Sequence, residues 1–156
     1  MQLSPQMLKS MGLRFTRSII DKGNLKPENR LWRSVLMNAL EDAFVKHSDR
    51  KNSLQKISAH NWFVQMSKDF QIICGHGLLD YEDMHDCYIN ALKTRNIVFT
   101  ERQVAWHSYD KIYKKILICD SKWKKKRLRK DLEKKRVEVF STAETILPEV
   151  ILSAFV

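Results

Sequence analysis

Turn-forming residues are scarce in this sequence, which has four glycines and three prolines among 156 residues. All-β folds place such residues in their many turns, so the scarcity argues against them and favours helix. The N-terminal sequence MQLSPQMLKSMGLRF has no uninterrupted apolar core, and no run approaches the roughly 18 apolar residues of a membrane span. Without an export signal, Cys74, Cys87 and Cys119 are expected to be reduced thiols. We therefore expect a cytoplasmic protein with no membrane partner.

Catalytic and cofactor motifs are also absent. The chain has no G-x-S-x-G, no Gly-rich phosphate loop and no H-E-x-x-H. Cys74, His76, His85 and Cys87 are residue types that bind zinc, but their C-x-H-x8-H-x-C spacing matches no standard structural zinc site. His85 and Cys87 are two apart on a predicted helix and so point away from each other. We expect no enzyme activity, no cofactor and no metal ion.

Positive charge is abundant but confined to one segment. Residues 121–136, SKWKKKRLRKDLEKKR, contain ten Lys/Arg and two acids, which is +8 of the formal +10 of the chain. Like charges at this density repel one another unless an anionic partner neutralises them. A solvated helix face normally mixes signs, whereas residues 122–130 contain no acid at all.

Contact with DNA or RNA is the interpretation that this charge favours, because Lys and Arg on phosphates release counterions. Trp123 and Tyr113 offer rings for stacking on unpaired bases, which favours RNA or single-stranded DNA. A solvated helix, an acidic protein face and a lipid surface stay open as alternatives. The predicted nucleic-acid-binding residues are Lys111, Lys114, Lys115, Lys122, Trp123, Lys124, Lys125, Lys126, Arg127, Arg129, Lys130, Lys134, Lys135 and Arg136.

Apolar residues at helical spacing occupy most of the remaining chain, and a hydrophobic fraction of 44% indicates a folded protein. An amphipathic helix is predicted from Ser4-Pro5 to about Ile20. Further helices are predicted over 28–46, 53–66, 70–77, 81–93 and 100–118 and from Ser121, with Asp69, Asp80, Thr100 and Ser121 as N-caps. The candidate core includes Leu31, Trp32, Val35, Leu36, Ala39, Leu40, Ala43, Phe44, Ala105, Tyr109, Ile112, Ile116 and Leu117.

The predicted fold class is all-α: a small orthogonal helical domain with a helix-turn-helix-like unit and a projecting, strongly basic C-terminal helix. We divide the chain into three parts. Residues 1–27 form an N-terminal helix and loop, 28–118 a helical core domain, and 119–156 the basic helix and an apolar tail.

Two short predicted helices, after Asp69 and after Asp80, are joined by a Gly-containing turn and match the outline of a helix-turn-helix. In that motif the second helix enters the major groove, and the candidate base-reading residues here are His76, His85, Asn90 and Lys93. Glu82, Asp83 and Asp86 share its outward side and would repel phosphates. Two core helices joined by a tight turn are therefore the open alternative.

The C-terminal tail, STAETILPEVILSAFV, is too apolar to stay in water. It is expected to pack back on the core or to dock on a partner or sister subunit, which would make a homo-oligomer.

The middle of the chain, about residues 28–93, resembles small uncharacterised helical proteins of phages and prophages. The matching residues are Leu31, Trp32, Val35, Leu36, Ala39, Asp42 and Ala43, then Ala59, Trp62 and Phe63, then Asp69, Phe70, Ile73 and Cys74. The turn that follows differs from the pattern of those proteins, because Gly77-Leu78-Leu79-Asp80 carries one extra leucine. The resemblance implies a phage- or mobile-element-type protein with a helix-turn-helix-like unit.

Together these features predict a nucleic-acid-binding regulatory protein acting on transcription, in the bacterial host cytoplasm or nucleoid. One alternative is a protein-interaction factor that binds host machinery such as RNA polymerase. The other is a structural or packaging protein that contacts the phage genome.

Overall fold

The computed structural model describes residues 24–156, so the helix predicted from Ser4 lies outside the described residues. Over that part of the chain the fold consists of six α-helices: α1 Pro27–Ala43, α2 Arg50–Gln65, α3 Lys68–His76, α4 Tyr81–Lys93, α5 Glu101–Ile118 and α6 Lys122–Ser141. Its extended pairing there is limited to one antiparallel bridge between Thr100 and Ile146. The prediction of an all-α fold is confirmed. Within residues 24–156 no helix has the length and apolar character needed to cross a membrane.

Three helices begin at the predicted capping residues. The side chains of Asp80, Thr100 and Ser121 each accept a hydrogen bond from the backbone N–H three residues further on. At Thr100 the box is complete, because the Gln103 side chain accepts from the Thr100 N–H in return. These side chains satisfy amide groups that have no partner inside the helix.

The start of α3 differs from the prediction. Ser67, rather than Asp69, is the N-cap, and its hydroxyl accepts from the Phe70 N–H at 3.2 Å. The Asp69 carboxylate instead accepts from the Trp62 indole N–H at 3.0 Å. Ser67 lies one residue before the first helical position, where its backbone is extended and its hydroxyl reaches the first turn.

α3 ends at His76 with Gly77 as its C-cap residue, whereas Gly75 lies within the helix. The left-handed residue of the turn is Leu78, with φ of 54°, and Gly77 has φ of −79°. At Gly77 a side chain would crowd a neighbouring residue. A Cβ there would lie 3.3 Å from Cγ of Arg33, whose Nε donates to the Gly77 carbonyl at 2.7 Å.

Backbone packing divides the chain into two units. Among the described residues, the first unit comprises 24–45, Gln55–Val98 and Glu149–Val156, and the second comprises Lys46–Leu54 and Phe99–Pro148. The domain limits given above stay a prediction.

The core of the first unit is an aromatic and aliphatic cluster on α1 to α4. Phe63 stacks on Tyr88 with ring centroids 4.5 Å apart, and Phe70 meets Phe63 edge to face at 5.7 Å. Leu36 and Leu40 of α1 are fully buried in the same cluster, as predicted. Leu31 was predicted as core and is 64% exposed, because it lies on the outer side of α1.

The end of the C-terminal tail packs on the first unit, in agreement with one of the two predictions for it. His60 bonds the Ser153 carbonyl, and Asn61 bonds the backbone of Phe155. The Phe155 ring lies edge-on to His60, with centroids 5.4 Å apart. Docking of the tail on a sister subunit stays a prediction.

Candidate nucleic-acid interface

α5 and α6 form an antiparallel helical hairpin in the second unit. Residues 119–121 join the two helices, which pack against each other. Near the start of α5, Trp106 meets the ring of Phe140 near the end of α6, with centroids 5.7 Å apart. Because the start of one helix contacts the end of the other, they run in opposite directions. The hairpin tip therefore consists of the end of α5 and the start of α6.

The open end of the hairpin is closed by one arginine. Arg102 donates from Nε and Nη2 to the carbonyl oxygen of Thr142, at 3.0 and 2.9 Å, and also forms an ion pair with Glu144. Thr142 is the C-cap residue of α6, where carbonyls lack intrahelical partners. This fork of donors fixes the end of α6 against the start of α5.

The buried side of α5 is more polar than its sequence suggested. Gln103, Trp106, Asp110 and Ile116 are buried, whereas Leu117, predicted as core, is 63% exposed. A buried polar group is tolerated when it is hydrogen-bonded or paired. The polar residues of α5 meet that condition within their own unit.

Two of them bond the segment that precedes α2. Gln103 Nε2 donates to the carbonyl of His47 at 3.1 Å, and Trp106 Nε1 donates to the carbonyl of Ser48 at 2.9 Å. The Ser48 and Thr100 hydroxyls are themselves 2.9 Å apart. These bonds attach residues 46–54 to the first half of α5.

Asp110 is the centre of a charged cluster on the same side. Its Oδ2 lies 2.8 Å from Lys114 Nζ, and its Oδ1 lies 3.8 Å from Arg50. The Arg50 guanidinium also lies over the rings of Tyr109 and Tyr113, 5.1 and 4.8 Å from their centroids. One face of Tyr113 is thus occupied, which makes it a weaker stacking candidate than the sequence suggested.

α6 turns one narrow stripe toward α5. The residues that lose solvent exposure recur at spacings of three and four and are Lys125, Leu128, Leu132, Lys135 and Val139. This is the pattern of a helix packed along one side. The exposed residues opposite this stripe are called the outward face of α6, and they are Trp123, Lys126, Arg127, Lys130, Glu133, Lys134 and Val137.

Most of the predicted phosphate-binding residues are exposed in the second unit. Lys125 and Lys135 are the half-buried ones, and Lys135 Nζ lies 2.8 Å from the Glu138 carboxylate. Trp123 is 75% exposed. The other exposed members are Lys111, Lys114, Lys115, Lys122, Lys124, Lys126, Arg127, Arg129, Lys130, Lys134 and Arg136.

The charge of the protein follows the same division. The second unit contains 17 Lys/Arg and 8 Asp/Glu, a formal net charge of +9. The described part of the first unit contains 7 Lys/Arg and 9 Asp/Glu. The second unit therefore accounts for nearly all of the chain's formal +10.

The four candidate base-reading residues lie in the first unit. His76 ends α3 with its ring stacked on Trp32, with centroids 4.9 Å apart. On α4, His85 is half-buried, and Asn90 and Lys93 are exposed. The acids of α4 that would oppose phosphates are also exposed: Glu82, Asp83 and Asp86. A base-reading role for this helix stays a prediction.

A shallow cavity of about 240 Å³ opens on the first unit. Its lining is largely apolar or small, and burial raises the pKa of the Asp42 carboxyl on its wall. The lining residues are Ala39, Asp42, Gln55, Ser58, Ala59 and Trp62. Over residues 24–156, no three His, Cys, Asp or Glu side chains are grouped closely enough to hold a metal ion.

Comparison with known protein families, curated proteins and solved structures finds no match to this chain.

Proposed function

We propose that the second unit binds nucleic acid, with the outward face of α6 against the phosphate backbone. The observation that supports this proposal is the arrangement of four cations and an exposed indole on the side of α6 that faces away from α5. Such a face is open to a long anionic ligand along several turns. Phosphate contacts from Lys and Arg give an affinity that is independent of base sequence and falls steeply with salt.

Intramolecular ion pairs leave this face available. In the described part of the chain, the ion pairs of α6 are confined to Lys135 with Glu138, and Lys135 belongs to the inner stripe. The cations of the outward face have no carboxylate partner there. Binding a polyanion would thus relieve repulsion without first breaking an internal pair.

The proposal extends to a regulatory role in transcription of phage- or mobile-element-type genes, in the bacterial cytoplasm or nucleoid. The resemblance over residues 28–93 and the succession of α3 and α4 support it. In this role the basic hairpin supplies affinity, and sequence preference comes from α4 or from a protein partner.

The acidic surface of α4 favours a second candidate, a protein-interaction factor that binds host transcription machinery. Glu82, Asp83 and Asp86 are exposed, and a basic protein surface would complement them. In that case the cationic hairpin meets an acidic protein face rather than phosphates.

Fluorescence anisotropy with labelled duplex DNA, single-stranded DNA and RNA across a salt series tests the two candidates. We expect at least micromolar binding near physiological salt with a steep salt dependence. The triple variant K126Q/R127Q/K130Q should weaken binding, and its salt slope on duplex DNA should fall by about 0.9 for each phosphate that the variant no longer neutralises.

A charge-matched control comes from the first unit, where Lys26, Arg30 and Lys68 are exposed. The variant K26Q/R30Q/K68Q removes the same charge and should keep the wild-type salt slope. Equal losses of affinity in both triple variants would indicate a general effect of net charge and contradict the proposed face. Absence of binding to all three nucleic acids would instead favour the protein-interaction factor.

A further inference from the structure

Trp123 differs from the other tryptophans of the chain. Trp32 stacks on His76, Trp62 packs against Phe63, and Trp106 packs against Tyr109. Trp123 is 75% exposed and makes no ring contact or side-chain hydrogen bond with residues 24–156. An indole left in water offers a large apolar surface and a polar N–H for a partner.

The surroundings of Trp123 specify the chemistry of that partner. It lies in the first turn of α6 between Lys122 and Lys124, and Lys126 and Arg127 follow it along the exposed side. A ligand that reaches the indole must therefore be anionic close to where it presents an apolar face. A nucleotide has this combination, because its phosphate and its base are covalently linked.

Duplex and single strands differ in what they offer to this ring. In a duplex the base faces are stacked on one another, whereas an unpaired base exposes a face on which an aromatic side chain can stack. Tyr113 is less suited to that contact, since Arg50 already occupies one face of its ring.

We propose that Trp123 stacks on an unpaired base, so that the preferred ligand of the hairpin is single-stranded DNA or RNA. This inference rests on the proposed function, because the cations of the outward face must first hold the phosphates. The cations then supply the salt-dependent part of the affinity, and Trp123 supplies the preference for unpaired bases.

The test compares W123A, W123F and wild type on a single-stranded oligonucleotide, as DNA and as RNA. The same length of duplex and an abasic strand with equal phosphates are the reference ligands. Stacking of one base is worth roughly 1–3 kcal/mol, so W123A should bind the single strand about tenfold more weakly or worse. W123F keeps a ring and should retain most of the affinity. The affinity of wild type for the abasic strand should be close to that of W123A for the base-containing single strand.

Ile118 provides a matched control, since it is also at the hairpin tip and is 80% exposed. I118A removes exposed apolar surface without removing a ring and should leave binding to the single strand unchanged. Thermal unfolding midpoints of W123A and I118A equal to that of wild type would show that neither change affects folding.

Two results would overturn the stacking inference while leaving phosphate binding intact. In the first, W123A binds single strands as tightly as wild type does, while K126Q/R127Q/K130Q no longer binds them. The other is an equal loss of affinity by W123A on the single strand, the duplex and the abasic strand. Failure of the proposed function is a separate result, in which wild type binds none of these ligands at any salt concentration.

Discussion

The side-chain amide of Asn61 pairs with the backbone of Phe155 through both of its polar atoms. Its Nδ2 donates to the Phe155 carbonyl at 3.0 Å, and its Oδ1 accepts from the Phe155 N–H at 2.7 Å. The two residues are 94 positions apart in sequence. The amide thus pairs with the backbone of one tail residue as a neighbouring β-strand would.

Replacing Asn61 by Ala should release the end of the tail. The variant cannot form either hydrogen bond, and the free energy of unfolding should fall by about 1–3 kcal/mol. The direct measurement is hydrogen exchange at the Phe155 amide, which should become faster. Ser58 is exposed on the same helix, so S58A is the control and should leave that exchange rate unchanged. An unchanged rate in N61A would show that the pairing does not hold the tail.

His60 should make stability depend on pH. Its Nε2–H donates to the Ser153 carbonyl at 2.9 Å, so in the neutral ring Nδ1 accepts from the Tyr88 hydroxyl at 2.9 Å. Burial lowers the pKa of His60; the Ser153 bond opposes that shift, and the charge of Lys56 adds to it. The unfolded chain therefore binds a proton at higher pH than the folded chain does.

The resulting stability is fully present above the unfolded pKa of about 6.5 and declines as pH falls through it toward the lower folded pKa. Urea unfolding between pH 8 and pH 5 measures this, and His60 contributes a slope of at most about 1.4 kcal/mol per pH unit. The variant H60Q removes the titrating ring and should show a smaller decline. Identical pH profiles for the two proteins would contradict this assignment.

Leu78 is expected to be a destabilising residue in the turn after α3. Its φ of 54° is left-handed, a conformation that costs a residue with a Cβ about 1–2 kcal/mol. Its side chain is largely exposed, so L78G should raise the free energy of unfolding by about 1 kcal/mol. L78A keeps the Cβ and should change little. A destabilised L78A or a destabilised L78G would show that side-chain packing outweighs backbone conformation here.

Truncation to alanine should cost far more stability at Phe63 than at Leu31. Phe63 is fully buried and stacked on Tyr88, so F63A should cost about 3–5 kcal/mol. Leu31 is largely exposed, and L31A should stay within about 0.5 kcal/mol of wild type. Denaturant midpoints of F63A, L31A and wild type, measured under the same conditions, test this difference. A large drop in the midpoint of L31A would mean that the outer side of α1 is covered in solution.

Local chemistry made three of the helix starts predictable. Asp80, Thr100 and Ser121 are short polar residues placed just before periodic apolar positions, and each is a cap in the fold. Leu128 and Leu132 are apolar residues four positions apart, and both lie half-buried on the inward stripe of α6. These features depend on neighbours a few residues away, which a sequence displays directly.

The surroundings of α5 depend on distant partners, and the sequence did not predict them. Gln103 and Asp110 are polar residues that become buried because His47 and Arg50, more than fifty positions earlier, supply a hydrogen bond and a charge. Arg50 was missed altogether as a member of the candidate site, and no local pattern marks it. Its importance arises only when folding brings it over two tyrosines more than fifty positions later.

The hairpin tip has an electrostatic asymmetry that follows from helix direction. A helix carries partial positive charge at its N-terminus and partial negative charge at its C-terminus. Lys115 in the last turn of α5 is favourably placed, whereas α6 begins with Lys122, Lys124 and Lys125 and has no acid in its first turn. The macrodipole of α6 thus opposes its own side chains, and its first turn should be the least stable part of that helix. An anion bound at the tip would interact favourably with both the helix N-terminus and these lysines. We therefore expect ligand binding to stabilise the first turn of α6 against fraying.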